Sequence, residues 1–225
     1  MQPLPIRIFF RKKGAAIFIS HLDLTRCMSR IMRRAKIPFW YTEGFNPHAY
    51  MTFALPLSLG ITGLYECMDI KLIEPMPFEE IIERLNNSLP EGLSVFAAAL
   101  PVHKNTAIAW SRYEVVLQPK DGDSGKLAAS LSEFLSRESI ITEKKNKAKK
   151  MVQIDLAPHI KEYTVTERGE EGNGAVVFLL TLPSGCTDNI NPHLLLNLFE
   201  SESGSGFSST VARTEVLTAD LQKFV

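Results

Sequence analysis

The order in which apolar patterns follow one another constrains this chain more than any other feature. PIRIFF (5–10) alternates as a strand does, and AAIFIS (15–20) either continues it or forms its bent second half after the turn at Lys13-Gly14. Ser20 stands where a helix N-cap belongs, with Asp23 three residues on as a short capping box. Leu24, Cys27, Met28, Ile31 and Ala35 follow at helical spacing, and Pro38 closes the segment. MTFALPLSL (51–59) and YECMDIKLIE (65–74) read as two strands of a hairpin around GITG. Pro77 opens a second helix with Phe78, Ile81, Ile82 and Leu85 on its inner face, and LSVFAAALPV (93–102) closes the unit as a strand. The order is β-α-β-β-α-β, the ferredoxin-like motif.

After a linker, HKNTAIAW (103–110), the order repeats. RYEVVLQP (112–119) is a strand, GKLAASLSEFLSRE (125–138) a helix, and IITEKK (140–145) the start of a strand. VVFLLTLP (176–183) is an apolar strand, NPHLLLNLFES (191–201) a helix opening at Pro192, and VARTEVLTA (211–219) a final strand. Between the middle strands lies an insertion, 146–175, which fits a short helix or an extra strand pair. The expected architecture is α+β: two tandem ferredoxin-like domains, 1–103 and 110–225, with antiparallel sheets and helices on one face.

The 225 residues carry a formal net charge of zero, so no global attraction to nucleic acid is expected. The distribution is uneven. Residues 1–50 hold nine cations against Asp23 and Glu43, while 66–91 are mostly acidic. Cys27, Cys67 and Cys186 lie far apart, with neither zinc-site nor disulfide-framework spacing, and no carboxylate or histidine cluster has metal-ligand spacing. No signal-peptide pattern is present, and no apolar run approaches the roughly 20 residues of a membrane span. These features predict a soluble cytoplasmic protein that binds no metal.

The first helix carries the chief candidate site. Arg26, Arg30 and Arg33 are spaced i, i+4, i+7 and share the face opposite the apolar stripe, with Arg34 beside them. Guanidinium groups suit phosphate oxygens, and Phe39, Trp40, Tyr41 and Phe45 follow directly, a mixture that suits single-stranded RNA. The competing reading is a solvated face paired with acids elsewhere, such as those of the second helix. In the loop TEGFNPH (42–48), Gly44, Asn46 and Pro47 suit a tight reversal, whereas Phe45 and His48 are not needed to turn a chain. His21, at the helix start, is a first-turn residue bonded to backbone or, with His48, half of an acid–base pair. Glu66 and Asp69, three apart on a strand, face opposite sides and make a poor carboxylate dyad. The lysine run EKKNKAKK (143–150) reads as a solvated segment or a phosphate-tracking patch, and ESGSGFSS (202–209) as a connector.

The stretch from Ser20 to Asp23, the arginines from Arg26 to Arg34, the loop Gly44 to His48 (preceded by Glu43), the strand Phe53 to Leu57, Leu59-Gly60, and Glu66 with Asp69-Ile70 together resemble a bacterial family, the radical-SAM-linked proteins of unknown function. In that family the domain occurs beside, or fused after, a radical S-adenosylmethionine protein with a cobalamin-binding region. The resemblance implies a partner of that kind, which would carry an iron–sulfur cluster, S-adenosylmethionine and cobalamin. Three cysteines so far apart do not form the closely spaced cluster motif, so this chain is expected to serve as an accessory that binds no cofactor itself.

Three functions follow as expectations. The first is an RNA-binding module, for example for tRNA, that presents its ligand to the radical enzyme through Arg26, Arg30, Arg33, Arg34, Tyr41 and Phe45. The second is a metal-independent RNA-processing enzyme using His21 and His48; the paired ferredoxin-like folds of CRISPR RNA endonucleases offer a topological parallel. The third is a scaffold for the radical enzyme that binds no RNA. Neither DNA nor membrane is an expected partner.

Overall fold

The structure is a computed structural model that describes residues 3–145, 150–169, 174–185 and 188–225. Its elements in chain order begin with β1 (Leu4–Lys12), α1 (His21–Arg34), β2 (Met51–Phe53), β3 (Ile61–Leu72), α2 (Phe78–Asn86) and β4 (Leu93–Ala99). They continue with β5 (Ile108–Pro119), α3 (Ser124–Leu135), β6 (Ile141–Lys145), β7 (Met151–Asp155), β8 (Glu162–Arg168), β9 (Ala175–Pro183), α4 (Pro192–Ser203) and β10 (Phe207–Thr218). The chain forms two compact units, one of Met1–Ile108 with Arg213–Val225 and one of Ala109–Ala212. The expected boundary near 103–110 lies close to this division, but the chain from Arg213 onward packs with the first unit rather than the second.

In the first unit the strand order is β4-β1-β3, with β2 and β10 also beside β3. β1 runs antiparallel to both neighbours, with Arg7 opposite Asp69 on β3 and Ala99 on β4. Alternation divides its side chains. Ile6, Ile8 and Phe10 join Leu24, Met28, Ile31 and Met32 of α1 and Ile81 and Leu85 of α2 in one cluster, so both helices cover the same sheet face. Phe9 points the other way and packs with Tyr65, Cys67, Leu55, Val216 and Phe224. On that second face Val216 of β10 and Phe224 of the chain's tail join the cluster, with Val225 packed against it.

Two expectations for this unit change. AAIFIS is not strand: Gly14, at φ +55°, ends β1, and Gly14–Phe18 form a 3-10 turn with Ala16 buried. The strand expected over 51–59 shortens to Met51–Phe53, with Thr52 opposite Asp69, so the connection to β3 is longer than the hairpin turn expected around GITG. Pro56 lacks the N–H a continuing strand would need.

In the second unit the order is β10-β5-β9-β8. The expected insertion supplies the strand that pairs with β9: β8 aligns Tyr163 with Leu180 and Val165 with Phe178. β8 is an edge strand exposed at nearly every position, which is why its sequence lacks a clear apolar alternation. IITEKK instead contributes β6, which pairs with β7 in a separate two-stranded sheet. Asp155 Oδ1 holds the base of that hairpin by accepting from Ile140 N–H (2.7 Å) and Ala157 N–H (3.0 Å). Residues 146–149 of the lysine run and Cys186 lie outside the described residues. The expected connector at 202–209 contracts to the three residues 204–206: Gly204, at φ +64°, caps α4 and β10 begins at Phe207. Both units are thus α+β with antiparallel strand pairs.

Candidate functional site

Local chemistry sets the orientation of α1. Ser20 Oγ accepts from Asp23 N–H (3.1 Å) and donates to Asp23 Oδ2 (2.7 Å), which fixes the first turn. Leu24, Met28, Ile31 and Met32 are buried, so the arginines are turned to the opposite, exposed face. Their partners differ. Arg26 pairs with Asp23 at 3.2 Å, both side chains 61% exposed. Arg34 donates to the Ser88 carbonyl in the loop after α2. Arg33 lies over the ring of Tyr41, 5.8 Å from its centroid. Arg30 makes no hydrogen bond or ion pair among the described residues. Glu80 of α2 pairs with Arg84 of its own helix instead of reaching the ridge. Only Asp23, among the described residues, answers the four arginines with a carboxylate.

Arg26, Arg30 and Arg34, with Asp23, line a groove of about 480 Å³ beside α1; its apolar lining is Cys27, Ile31 and Pro90. The Asp23 carboxyl is held below its ordinary range by the Ser20 hydroxyl and then by Arg26, so it stays ionised near neutrality. Burial pushes the Cys27 thiol up despite Arg34 and Arg30, leaving a neutral thiol rather than a nucleophile at pH 7.

The loop after α1 closes on itself. Trp40 N–H donates to Lys71 O (2.7 Å), Tyr50 N–H to Trp40 O (3.0 Å) and Thr42 N–H to His48 O (2.8 Å), and Tyr41 bridges Ala49. His48 N–H donates to Thr42 Oγ1 (3.2 Å), and the imidazole Nδ1 lies 3.0 Å from that oxygen and 3.2 Å from Asn46 O. Gly44, at φ +127°, allows the reversal. TEGFNPH is therefore the tip of a self-bonded hairpin, and Phe45 projects from it fully exposed, at 106% relative accessibility. Glu43, Asn46 and Pro47 are exposed with it.

Alternation along the hairpin divides the expected aromatic group. Phe39 is buried and packs against Tyr41 (5.0 Å between centroids), on the side of Arg33. Trp40 joins Tyr50 (5.8 Å), with Lys71 Nζ 5.1 Å and 4.4 Å from the two rings. Phe45 thus stays fully accessible and Tyr41 partly so, with Arg33 over its ring, whereas Trp40 is engaged by Lys71.

No contact among the described residues joins the two histidines. His21 packs its ring edge-on against Phe53, centroids 5.0 Å apart, while His48 is held by Thr42 and Asn46. Each imidazole is thus held by partners of its own. Among the described residues no group of three or more His, Cys, Asp or Glu could hold a metal ion.

Two charged motif residues have a role that sequence reasoning missed. Glu66 forms a buried bidentate pair with Arg213, at 2.9 Å and 2.5 Å, and Arg213 also donates to Leu55 O (2.9 Å). Asp69 accepts from Arg7 at 2.7 Å and 2.9 Å; Arg7, fully buried, also reaches His103 O and Asn105 Oδ1, both at 3.0 Å, and stacks on Phe224. The buried Lys12 ammonium donates to Ile19 O (3.0 Å), and burial pulls its pKa down. Gly63 makes room for this cluster, since a Cβ there would stand 2.5 Å from Glu66 Cγ. The sequence hint was a buried-type strand, YECMDI, that carries two acids among apolar residues.

Residues 5–192, which include α1, its groove and the hairpin, match a family described as an uncharacterized protein conserved in bacteria (DUF2344). The chain belongs to that family. No curated protein matches it. Among solved structures it is similar to an unknown protein from Galdieria sulphuraria, at 10% identity and a TM-score of 0.27, over 93% of this chain and 99% of that one. Of the residues described above, the DUF2344 match contains Arg7, Glu66 and Asp69 and ends before Arg213. Among the described residues no helix is long and apolar enough to cross a membrane.

Proposed function

We propose that this chain is an RNA-binding accessory module whose contact surface is the exposed face of α1 with the tip of the 39–50 hairpin. One observation carries the reading: of four arginines on one helix face, only Arg26 has a carboxylate partner among the described residues. Arg26, Arg30, Arg33 and Arg34 contact phosphates, and Tyr41 and Phe45 offer ring faces to bases. The finer architecture belongs to the same reading: each unit is a variant of the ferredoxin-like fold, the first extended by the chain's tail and the second by the β6–β7 hairpin. The partner that receives the RNA is a radical S-adenosylmethionine protein, which supplies the iron–sulfur cluster and cobalamin, while this chain supplies binding and orientation.

The test is fluorescence anisotropy with labelled RNA, tRNA among the ligands, at several salt concentrations. Binding is expected to weaken with salt, and Arg30→Ala with Arg33→Ala to reduce the slope of log K against log salt by about 1.4. Absence of binding, or binding indifferent to salt and to both substitutions, refutes the proposal.

A further inference from the structure

The groove beside α1 differs from the rest of the arginine face. An open ridge suits a phosphodiester chain passing over it. Here three guanidinium groups border one pocket of about 480 Å³, within the roughly 300–1,000 Å³ of small-ligand clefts. The outer two are already held, Arg26 by Asp23 and Arg34 by the Ser88 carbonyl. Arg30, between them on the helix, has no hydrogen-bond partner among the described residues, so its donors are available to a ligand. Three cations against the Asp23 carboxylate leave two positive charges around the pocket. Cys27, Ile31 and Pro90 supply apolar lining on which a ring can rest.

We infer that this groove binds a terminal phosphate monoester, the 5′ end of an RNA strand, rather than an internal phosphodiester. The charge decides the class. A monoester carries close to two negative charges near neutrality, because its second pKa is about 6, and it presents three acceptor oxygens. An internal phosphodiester carries one charge, as counted along a nucleic-acid backbone. Arg30 closes on the dianion with a forked pair of donors, a geometry lysine does not reproduce. The inference rests on the RNA reading for the source of the phosphate, and its test separates the two.

Two RNA oligonucleotides of one sequence, one with a 5′-phosphate and one with a 5′-hydroxyl, are titrated against the full chain. A nucleoside 5′-monophosphate serves as competitor. The phosphorylated strand is expected to bind about tenfold tighter, the scale of one charge-assisted hydrogen-bonding group. Arg30→Ala and Arg30→Lys should both erase most of that preference, read within each variant as the ratio of its affinities for the two strands. Arg30 is exposed and makes no hydrogen bond among the described residues, so neither variant should lose the fold; circular dichroism checks this. Equal affinity for the two strands overturns the inference and leaves the RNA reading standing. Binding of the monophosphate alone, lost in Arg30→Ala, supports the pocket and overturns the RNA reading. Binding of none of the three ligands overturns both.

Discussion

The first unit contains two sets of arginines placed under opposite conditions. Arg7 and Arg213 are buried, and each is met by a carboxylate from β3 in a two-point contact. Arg26, Arg30, Arg33 and Arg34 are exposed on α1, and Asp23 is their one carboxylate neighbour among the described residues. The difference teaches how to sort charge into structure and function. A buried guanidinium is tolerable only when its charge is answered within the fold, so its interactions are largely committed. Of the Arg7 guanidinium nitrogens, only Nη1 has no hydrogen-bond partner among the described residues. An exposed one costs little in water and keeps its donors for a ligand. The motif acids Glu66 and Asp69 belong to the first group: they hold buried cations, not a substrate.

The largest test of this contrast is Arg213→Ala. It leaves Glu66 buried without its partner and should destabilise the protein by about 3–5 kcal/mol, read by urea denaturation. A loss below about 1 kcal/mol would show that the pair is solvated and the contrast false. On the exposed side, Phe45→Ala should change stability by less than about 0.5 kcal/mol. It should nevertheless weaken RNA binding by about 1–3 kcal/mol if the ring stacks on a base. An unchanged affinity removes Phe45 from the interface.

The smallest effect concerns pH. Asp23 has its folded-state pKa depressed by Ser20 and Arg26, so its contribution to stability is present above the ordinary carboxylate pKa of 3.8 and lost as pH falls through the lower folded value. Asp23→Asn should therefore differ from wild type near neutrality and converge with it in acid, measured as thermal midpoints across pH. Lys12 contributes a penalty rather than a stabilisation, but stability again rises with pH, in an alkaline window. Its pKa is lowered from 10.5, so the penalty for keeping it protonated eases as pH rises through the folded value toward 10.5, and Lys12→Met should flatten that alkaline rise.

Much of the fold was legible in local patterns. Ser20, Asp23 and the stripe from Leu24 to Ile31 specify α1 and its orientation, because capping and helical periodicity involve residues within a few positions of one another. The same rules placed the arginines outward. Legibility failed where pairing is long-range or the signal weak. β8 escaped notice because an exposed edge strand needs no apolar alternation, and AAIFIS read as strand because a 3-10 turn with one buried alanine can carry the same apolar residues. At the candidate site, Pro90 and Ser88 come from the loop after α2, which no local pattern connects to the arginines.

The sequence by itself determined the four helices and most of the main strands, an α+β composition, and a cationic helix face followed by an aromatic-bearing turn. Tertiary structure alone decided which charges are committed. Arg213 and Glu66 are 147 positions apart, and Arg7 and Asp69 are 62 apart. Their pairing depends on strand register and on the tail packing against the second sheet face. It also decided that TEGFNPH holds His48 through Thr42 and leaves Phe45 in water. Backbone preference fixes where a chain turns, but only the packed neighbours determine which side chains of the turn are buried, bonded or left to meet a ligand.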